Sequence, residues 1–378
     1  MKSLDDILQA ELAALEAADL RRTLRVANGA LLNFAANDYL GLARHPALVA
    51  AAREATAERG TGAGASRLVT GTDNAVLALE AELAAWKEKE AALVFSSGFA
   101  AAIGTIPALA GKGDTVILDK LSHASLIDAA RLSGATVRTF AHNDAARLEA
   151  VLRKVAADGT RTLVVTESIF SMDGDAAPLA EIVAAKEKHG AWLFVDEAHA
   201  TGLYGTTGAG RIAEAGLSGR VDIVMGTLSK ALGSVGGYIA GSRALVDWLA
   251  NRARSFVYST ALPPGVIAAS HAAVKLARGD EGAALRGKLG GRIARFHAGV
   301  PGRWKVHVTS TSAIQPLICG EAAAALAMAA QLRERGFLIP AIRYPTVARG
   351  SARLRVTLSA AHEEGEIDAL NRALGAMA

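Results

Sequence analysis

The sequence predicts an α/β fold, a mainly parallel sheet with helices on both faces, followed by a smaller α+β segment. Between residues 90 and 240, seven short runs (92–95, 115–119, 136–140, 162–166, 192–195, 222–225 and 237–240) alternate with helical patterns such as 145–156 and 179–189. After Pro263-Pro264 the texture changes to helices at 265–278 and 283–298 and then to mixed elements. The length, 378 residues, agrees with a pair of domains at about 150 residues each.

The elements follow in order. Residues 3–20 read as an amphipathic helix, with Leu4, Ile7, Leu8, Leu12 and Leu15 at helical spacing. Residues 33–42 read as a short extended piece and a turn, and Pro46 opens a helix that ends near Arg59. Residues 91–111 carry no charge, but Ser96-Ser97-Gly98 and Pro107 break them into strand, turn and helix, which argues against a membrane span. Beyond residue 300, strands are expected at 305–308, 313–318, 338–341 and 353–358, with helices near 321–335 and 363–376. The expected division is an N-terminal segment 1–42, a large domain 43–265 and a small α+β domain 266–378.

Composition removes several classes of function. Lys+Arg 41 against Asp+Glu 37 leaves a net +4, too small a surplus to suggest a nucleic-acid or membrane-surface protein. With 51% hydrophobic residues the chain can build a core, so disorder is excluded for most of its length. A single cysteine, Cys319, excludes an intrachain disulfide and a cysteine-based zinc site, and reads as a core thiol. The start, Met1-Lys2-Ser3-Leu4-Asp5-Asp6, turns acidic at once and has no apolar core of a signal peptide, so a reducing cytoplasm is the expected address.

Ligands on such sheets bind beyond the carboxyl ends of the strands. The run 192–195 leads into Asp196, with His199 three residues on. Alone, Asp196 reads as a helix cap, and His199 lacks the companions a metal site needs; no metal is expected. The next run leads into Gly226-Thr227-Leu228-Ser229-Lys230 and then glycines. A lysine half-buried among small residues is depressed in pKa and nucleophilic, although a solvated helix-start lysine is the plainer reading of Lys230 by itself. Together the two segments suit pyridoxal phosphate (PLP). Lys230 forms the imine, and Asp196 keeps the pyridine nitrogen protonated so that the ring becomes an electron sink. Hydroxyls and a helix N-terminus receive the phosphate, and Ser96-Ser97-Gly98-Phe99 offers further N–H groups. His123, in Leu121-Ser-His-Ala-Ser125, follows another strand, where an imidazole can stack on the ring.

These motifs, with Asn37-Asp-Tyr-Leu-Gly-Leu42, Phe170-Ser-Met-Asp-Gly174, Asp196-Glu-Ala-His199 and Tyr258-Ser-Thr-Ala-Leu-Pro-Pro264, resemble the α-oxoamine synthases over about residues 4–376. These are PLP enzymes of fold type I that condense an amino acid with an acyl thioester and lose CO₂. The resemblance implies a PLP-dependent transferase fold of type I with a mainly parallel seven-stranded sheet, and a homodimer with active sites at the subunit interface. It implies Lys230 as Schiff-base lysine and base, Asp196 as partner of the ring nitrogen, and His199 and Ser171 on the ring 3-hydroxyl. His123 stacks on the ring and donates to the thioester carbonyl, while Gly98, Phe99 and Thr227 line the cofactor site. Ser259 and Thr260 resemble a segment that reaches the phosphate of the partner subunit. Arg355 would grip the amino-acid carboxylate, and Arg21, Asn37 and Thr346 would contact the substrates. Leu20-Arg21-Arg22, Ser312-Ala-Ile-Gln-Pro316, Ala341-Ile-Arg-Tyr-Pro-Thr346 and the run 352–362 are most similar to members that use L-alanine and a pimeloyl thioester, carried on CoA or on an acyl carrier protein. The same chemistry on glycine and acetyl-CoA is the nearest rival. A PLP aminotransferase is more distant, and a PLP-binding regulatory domain is disfavoured because no DNA-binding segment is attached. One departure is visible: many members carry Asn where Ala102 stands.

Gly60-Thr-Gly-Ala-Gly-Ala65 matches a dinucleotide fingerprint, but it follows a helix pattern and not a strand, so dinucleotide binding is not expected; the family resemblance implies a mobile loop near the substrate mouth. His45, His142, His271, His297 and His307 have no companions in sequence and read as structural or surface residues.

Overall fold

The computed structural model describes residues 2–24, 26, 29–156, 159–305 and 310–377. It divides into two compact units, one of residues 38–171 and 175–288, the other of residues 1–37, 172–174 and 289–378. These limits differ from the expected breaks after residues 42 and 265. The helix Pro264–Arg278 packs on Pro46–Arg59 and Asn74–Trp86, which keeps it in the larger unit. Gly265 permits that approach, since a Cβ there would lie 3.0 Å from Ala52 O. Residues 1–37 group with the C-terminal part because Leu32–Asn33 pairs in parallel with Phe337–Leu338, and Thr357 N donates to Phe34 O at 2.9 Å.

The larger unit holds β1 (Ala91–Phe95), β2 (Thr115–Asp119), β3 (Thr136–Phe140), β4 (Thr162–Glu167), β5 (Trp192–Asp196), β6 (Ile223–Thr227) and β7 (Gly237–Gly241). They form one seven-stranded sheet in the order β1-β7-β6-β5-β4-β2-β3. The pairs β2–β3, β2–β4, β4–β5 and β5–β6 are parallel, and β7 runs antiparallel to both its neighbours. The reversal has a simple cause. Only residues 228–236 join β6 to β7, and a parallel crossover needs about a dozen residues or more. Ile117, Val164, Leu193 and Phe194 are fully buried, as expected for strands covered on both faces. At the edge, β3 exposes all but Phe140, and Arg138 sits on it, a charge that discourages further strand pairing. The uncharged stretch resolves into β1 and the helix Gly98–Leu109, capped by Ser97, whose side chain accepts from Ala100 N. Among the described residues no helix is long and apolar enough to cross a membrane.

The smaller unit carries β8 (Ile314–Gly320), β9 (Ala341–Ile342) and β10 (Ala352–Thr357), antiparallel in the order β9-β10-β8. The strand expected at 338–341 is instead split in two around Ile339-Pro340, because Pro340 brings no N–H to a ladder. Of the strand expected at 305–308, Lys305 closes a short helix, Gly302–Lys305, and the remainder lies outside the described residues. The first helix, Leu4–Ala17, starts at a capping box of Ser3 and Asp6, and none of its residues is buried.

Candidate active site

Five strands of the larger sheet deliver the predicted cofactor residues at their carboxyl ends: Gly98 and Phe99 after β1, His123 after β2, Ser171 after β4, Asp196 and His199 at β5, Thr227 and Lys230 at β6. Lys230 Nζ lies 2.8 Å from His199 Nε2, and His199 Nδ1 lies 2.6 Å from the Tyr39 hydroxyl. Asp196 is buried, and its Oδ1 accepts the Ala198 N–H at 2.7 Å. Burial pushes the Asp196 pKa up, while the Lys230 cation pulls the other way. A carboxylate withdrawn from water in this manner gains most from a cationic hydrogen-bond donor.

His123 stands at the N-terminus of the helix Ala124–Leu132, where its Nδ1 accepts the Ser125 N–H at 3.2 Å and meets Ser125 Oγ at 2.8 Å. Desolvation holds its pKa below the ordinary histidine value; the Asp196 charge pulls the other way and the Lys230 charge acts with the desolvation. The shift favours the neutral ring. With Nδ1 engaged as an acceptor, its proton sits on Nε2.

Gly98 and Thr227 come together where the helix Gly98–Leu109 begins. A Cβ on Gly98 would lie 3.0 Å from Met225 Cε and 3.8 Å from Thr227 Oγ1. One on Gly237 would lie 2.6 Å from Gly98 Cα, so the glycines let the helix start settle on the sheet. Thr227 Oγ1 meets Ser229 Oγ at 2.7 Å and donates to Gly236 O at 2.8 Å. Phe99 is half exposed. Ser259 and Thr260 line a cleft with Ser96, Arg59 and Arg67, and Thr260 bridges Ser66 across an antiparallel step. That pairing anchors the 60–65 loop, which follows the helix Pro46–Arg59 and so lacks the strand a dinucleotide fingerprint requires. Ala102 is fully buried in the helix after Phe99.

Of the predicted substrate residues, His123 lies in the larger unit, and Arg21, Asn37, Thr346 and Arg355 fall in the smaller one. Arg355, buried on β10, donates through Nη1 to Asn37 Oδ1 and to Thr357 Oγ1, both at 3.0 Å. Thr346 is exposed and accepts from Arg22 Nη2 at 3.1 Å, so the structure joins Arg22 to Thr346, while Arg21 pairs with Glu16. Arg353 is also buried and ion-pairs with Asp173.

Several residues that shape the site escaped the sequence reading. Glu167 ends β4 fully withdrawn from water and accepts the His123 N–H at 2.6 Å. Glu197 accepts from Lys87 Nζ at 2.9 Å and from Ile212 N at 2.9 Å, a buried ion pair directly behind the turn that carries Asp196 and His199. In both cases the signal was an acid closing an apolar run, a place where a charge stays only if it is paired. His142 does have companions. Its Nδ1 lies 2.9 Å from Asp119 and its Nε2 2.8 Å from Asp175. Desolvation opposes its proton, but the two carboxylates outweigh it and raise the pKa to about 10. His45 pairs with Glu281 and His297 with Gln315, and His307 lies outside the described residues. Cys319 is partly buried, and burial pushes its thiol pKa up.

Comparison with known proteins fits this arrangement. Residues 30–374 match the family model of aminotransferase class I and II. The 8-amino-7-oxononanoate synthase of Methylobacterium nodulans is 46% identical over 98% of this chain and 96% of its own length. That of Methylorubrum populi is 47% identical over 100% of this chain and 95% of its own. Among solved structures, a serine palmitoyltransferase from S. paucimobilis with a bound PLP–myriocin adduct superposes with a TM-score of 0.91 at 29% identity, covering 99% of this chain and 98% of that one. The fold is the type I fold of PLP-dependent transferases, and the chain belongs to the class I and II aminotransferase family, within which it is an α-oxoamine synthase.

Proposed function

We propose that this chain condenses L-alanine with a pimeloyl thioester to give 8-amino-7-oxononanoate, CO₂ and free thiol, a step of biotin biosynthesis. One observation carries the reading: 46% and 47% identity, over nearly the whole chain, to two enzymes of that name. The cofactor is PLP, and the residues fit it. Lys230 offers an amine, Asp196 a buried carboxylate, His123 a neutral imidazole and Gly98–Leu109 a helix N-terminus, all at one edge of one sheet.

Bound there, PLP supplies an aldehyde for the substrate amine and a protonated ring that takes up the electron pair released at Cα. Lys230 would hold the cofactor through Nζ, and the same amine would serve as the base for the Cα proton. Asp196 would keep the proton on the ring nitrogen, and His199 and Ser171 would orient the 3-hydroxyl. His123 would pack against the ring, and its Nε2–H would donate to the thioester carbonyl oxygen where negative charge develops. Arg355 grips the alanine carboxylate with two parallel bonds, while Arg21, Asn37 and Thr346 contact the substrates. The net reaction joins the alanine Cα to the acyl carbon and releases thiol and CO₂, and Lys230 Nζ would carry the proton from and back to Cα. The working form is a cytoplasmic homodimer in which Ser259 and Thr260 serve the phosphate of the opposite subunit. The acyl chain arrives on CoA or on an acyl carrier protein.

The likeness to serine palmitoyltransferase makes serine with palmitoyl-CoA a necessary control. Purified holoenzyme is offered alanine with pimeloyl-CoA or pimeloyl-carrier protein, glycine with acetyl-CoA, and serine with palmitoyl-CoA. Thiol and CO₂ release are followed. One alanine–pimeloyl pair should exceed the other amino acids by about a hundredfold or more in kcat/KM. Preference for glycine or serine would assign another member of the family, and a keto acid formed without CO₂ would assign an aminotransferase.

A further inference from the structure

We propose that Glu167 is the positioning residue of this site, a single side chain that ties the loop bearing His123 to the loop bearing Ser171 beside Asp196. The inference rests on the cofactor site assigned above. Glu167 closes β4, and its register partner on the adjacent parallel strand β5 is Asp196, so the two carboxyl groups leave neighbouring strands about 4.8 Å apart. Glu167 is only 2% exposed. One oxygen accepts the His123 N–H at 2.6 Å, and the carboxyl also accepts the Ser171 backbone N–H. His123 and Ser171 follow different strands, β2 and β4, and this carboxyl spans the gap between their loops.

The contact fixes His123 from behind. Its backbone is held by Glu167 and its Nδ1 by the Ser125 N–H, so both the origin of the ring and its rotation are set. The same carboxyl sets the start of the Ser171 side chain. Two carboxylates at adjacent strand ends, both sealed from water, cannot both ionise cheaply, and Lys230 supplies only one cation nearby. Burial, and then the Asp196 charge, push Glu167 well above the usual carboxylate range; Lys230 and the two N–H donors pull less strongly the other way. Burial and the neighbouring Asp196 charge thus favour the protonated form of Glu167.

The full-length enzyme is compared with Glu167→Gln and Glu167→Ala. Gln preserves a neutral group with an acceptor oxygen, while Ala removes the acceptor. In Glu167→Ala, hydrogen–deuterium exchange at the amides of residues 123 and 171 should speed up by about tenfold, PLP should dissociate about tenfold more readily, and the absorbance titration of the bound cofactor should shift. In Glu167→Gln the amide protection and the cofactor titration should stay within about twofold of the parent. Infrared spectra of the parent should show a protonated-carboxyl C=O band that Glu167→Gln lacks. If Glu167→Ala does not fold, the Gln variant and the infrared band still decide. Damage in Gln equal to that in Ala, absence of the band, or unchanged amide exchange in Ala would each overturn the proposal. Amide exchange and the infrared band need no substrate or turnover. A chain that shows both as expected yet fails to bind PLP would refute the assigned function and leave the role of Glu167 in the loops standing.

Discussion

His123 and His142 follow β2 and β3, neighbours in the same parallel sheet, yet they stand in opposite protonation states. His123 Nδ1 accepts a backbone N–H, which occupies its lone pair and disfavours a second proton. His142 meets a carboxylate at each nitrogen, and Asn143 reinforces both, donating its N–H to Asp119 Oδ2 at 2.9 Å and its side-chain amide to Asp175 Oδ2 at 2.7 Å. The first arrangement leaves a neutral ring with a directed N–H donor. The second makes a cationic clamp that pins the residue four positions after Ser171. Burial alone does not tell a reactive histidine from a structural one; the groups opposite its two nitrogens do.

The largest effect that can break this contrast is at His123. His123→Asn should lower kcat by about 10²–10³, the usual cost of losing a donor to a developing oxyanion, with little change in melting temperature. A large loss of stability with kcat preserved would move His123 into the structural class. Second comes the clamp. His142→Asn leaves Asp119 and Asp175 without their cation, and unfolding by urea should show a loss of roughly 1–3 kcal/mol while KM and kcat change little.

The clamp also has a pH signature. The pKa of His142 is about 10 in the folded chain, against about 6.5 in an unfolded one. The folded state therefore binds more protons between those values, and stability falls with rising pH. The His142 contribution is fully present below about pH 6.5 and is lost as pH climbs through about 10, whereas His142→Asn should lack that component. Urea midpoints at pH 6, 8 and 10 for both proteins measure it. A parent whose excess stability over the variant did not shrink by pH 10 would contradict the ion-pair account.

The same contrast recurs in miniature on β10. Arg353 ion-pairs with Asp173, while Arg355 donates to Asn37 Oδ1 and Thr357 Oγ1. Arg353 is buried and anchors the 172–174 loop. Arg355→Lys should raise KM for alanine about tenfold, near 1.4 kcal/mol, because an ammonium cannot copy a bidentate grip. Arg353→Lys should leave that KM within about threefold and lower the melting temperature slightly. Steady-state kinetics at saturating thioester compare the two, and equal KM values would erase the distinction.

Much of this was legible in the sequence because the sheet is buried on both faces. Such strands read as short apolar runs, and all seven strands, the exposed edge strand β3 included, lie within two residues of where the expected runs fall. The residues that end them, Asp196 and Lys230, stood out as charges at the edge of apolar segments. What stayed hidden depends on partners distant in sequence. Glu167 and His123 are 44 residues apart, and His142 and Asp175 are 33 apart. The antiparallel turn of β7 and the split at Pro340 were local facts that a strand-by-strand reading passed over. The unit boundaries were missed because they depend on a two-residue strand, Leu32–Asn33, pairing with residues over 300 positions away.

The central claim is that the strand-end cluster around Lys230 binds PLP covalently. Holoenzyme is reduced with borohydride, digested, and its peptides mapped by mass spectrometry. The account predicts a pyridoxyl-phosphate mass on Lys230 alone, near-stoichiometric in the parent and absent in Lys230→Ala, which still binds PLP reversibly but does not turn over. A label on any other lysine, or none after reduction of a chain that has bound PLP, would contradict it.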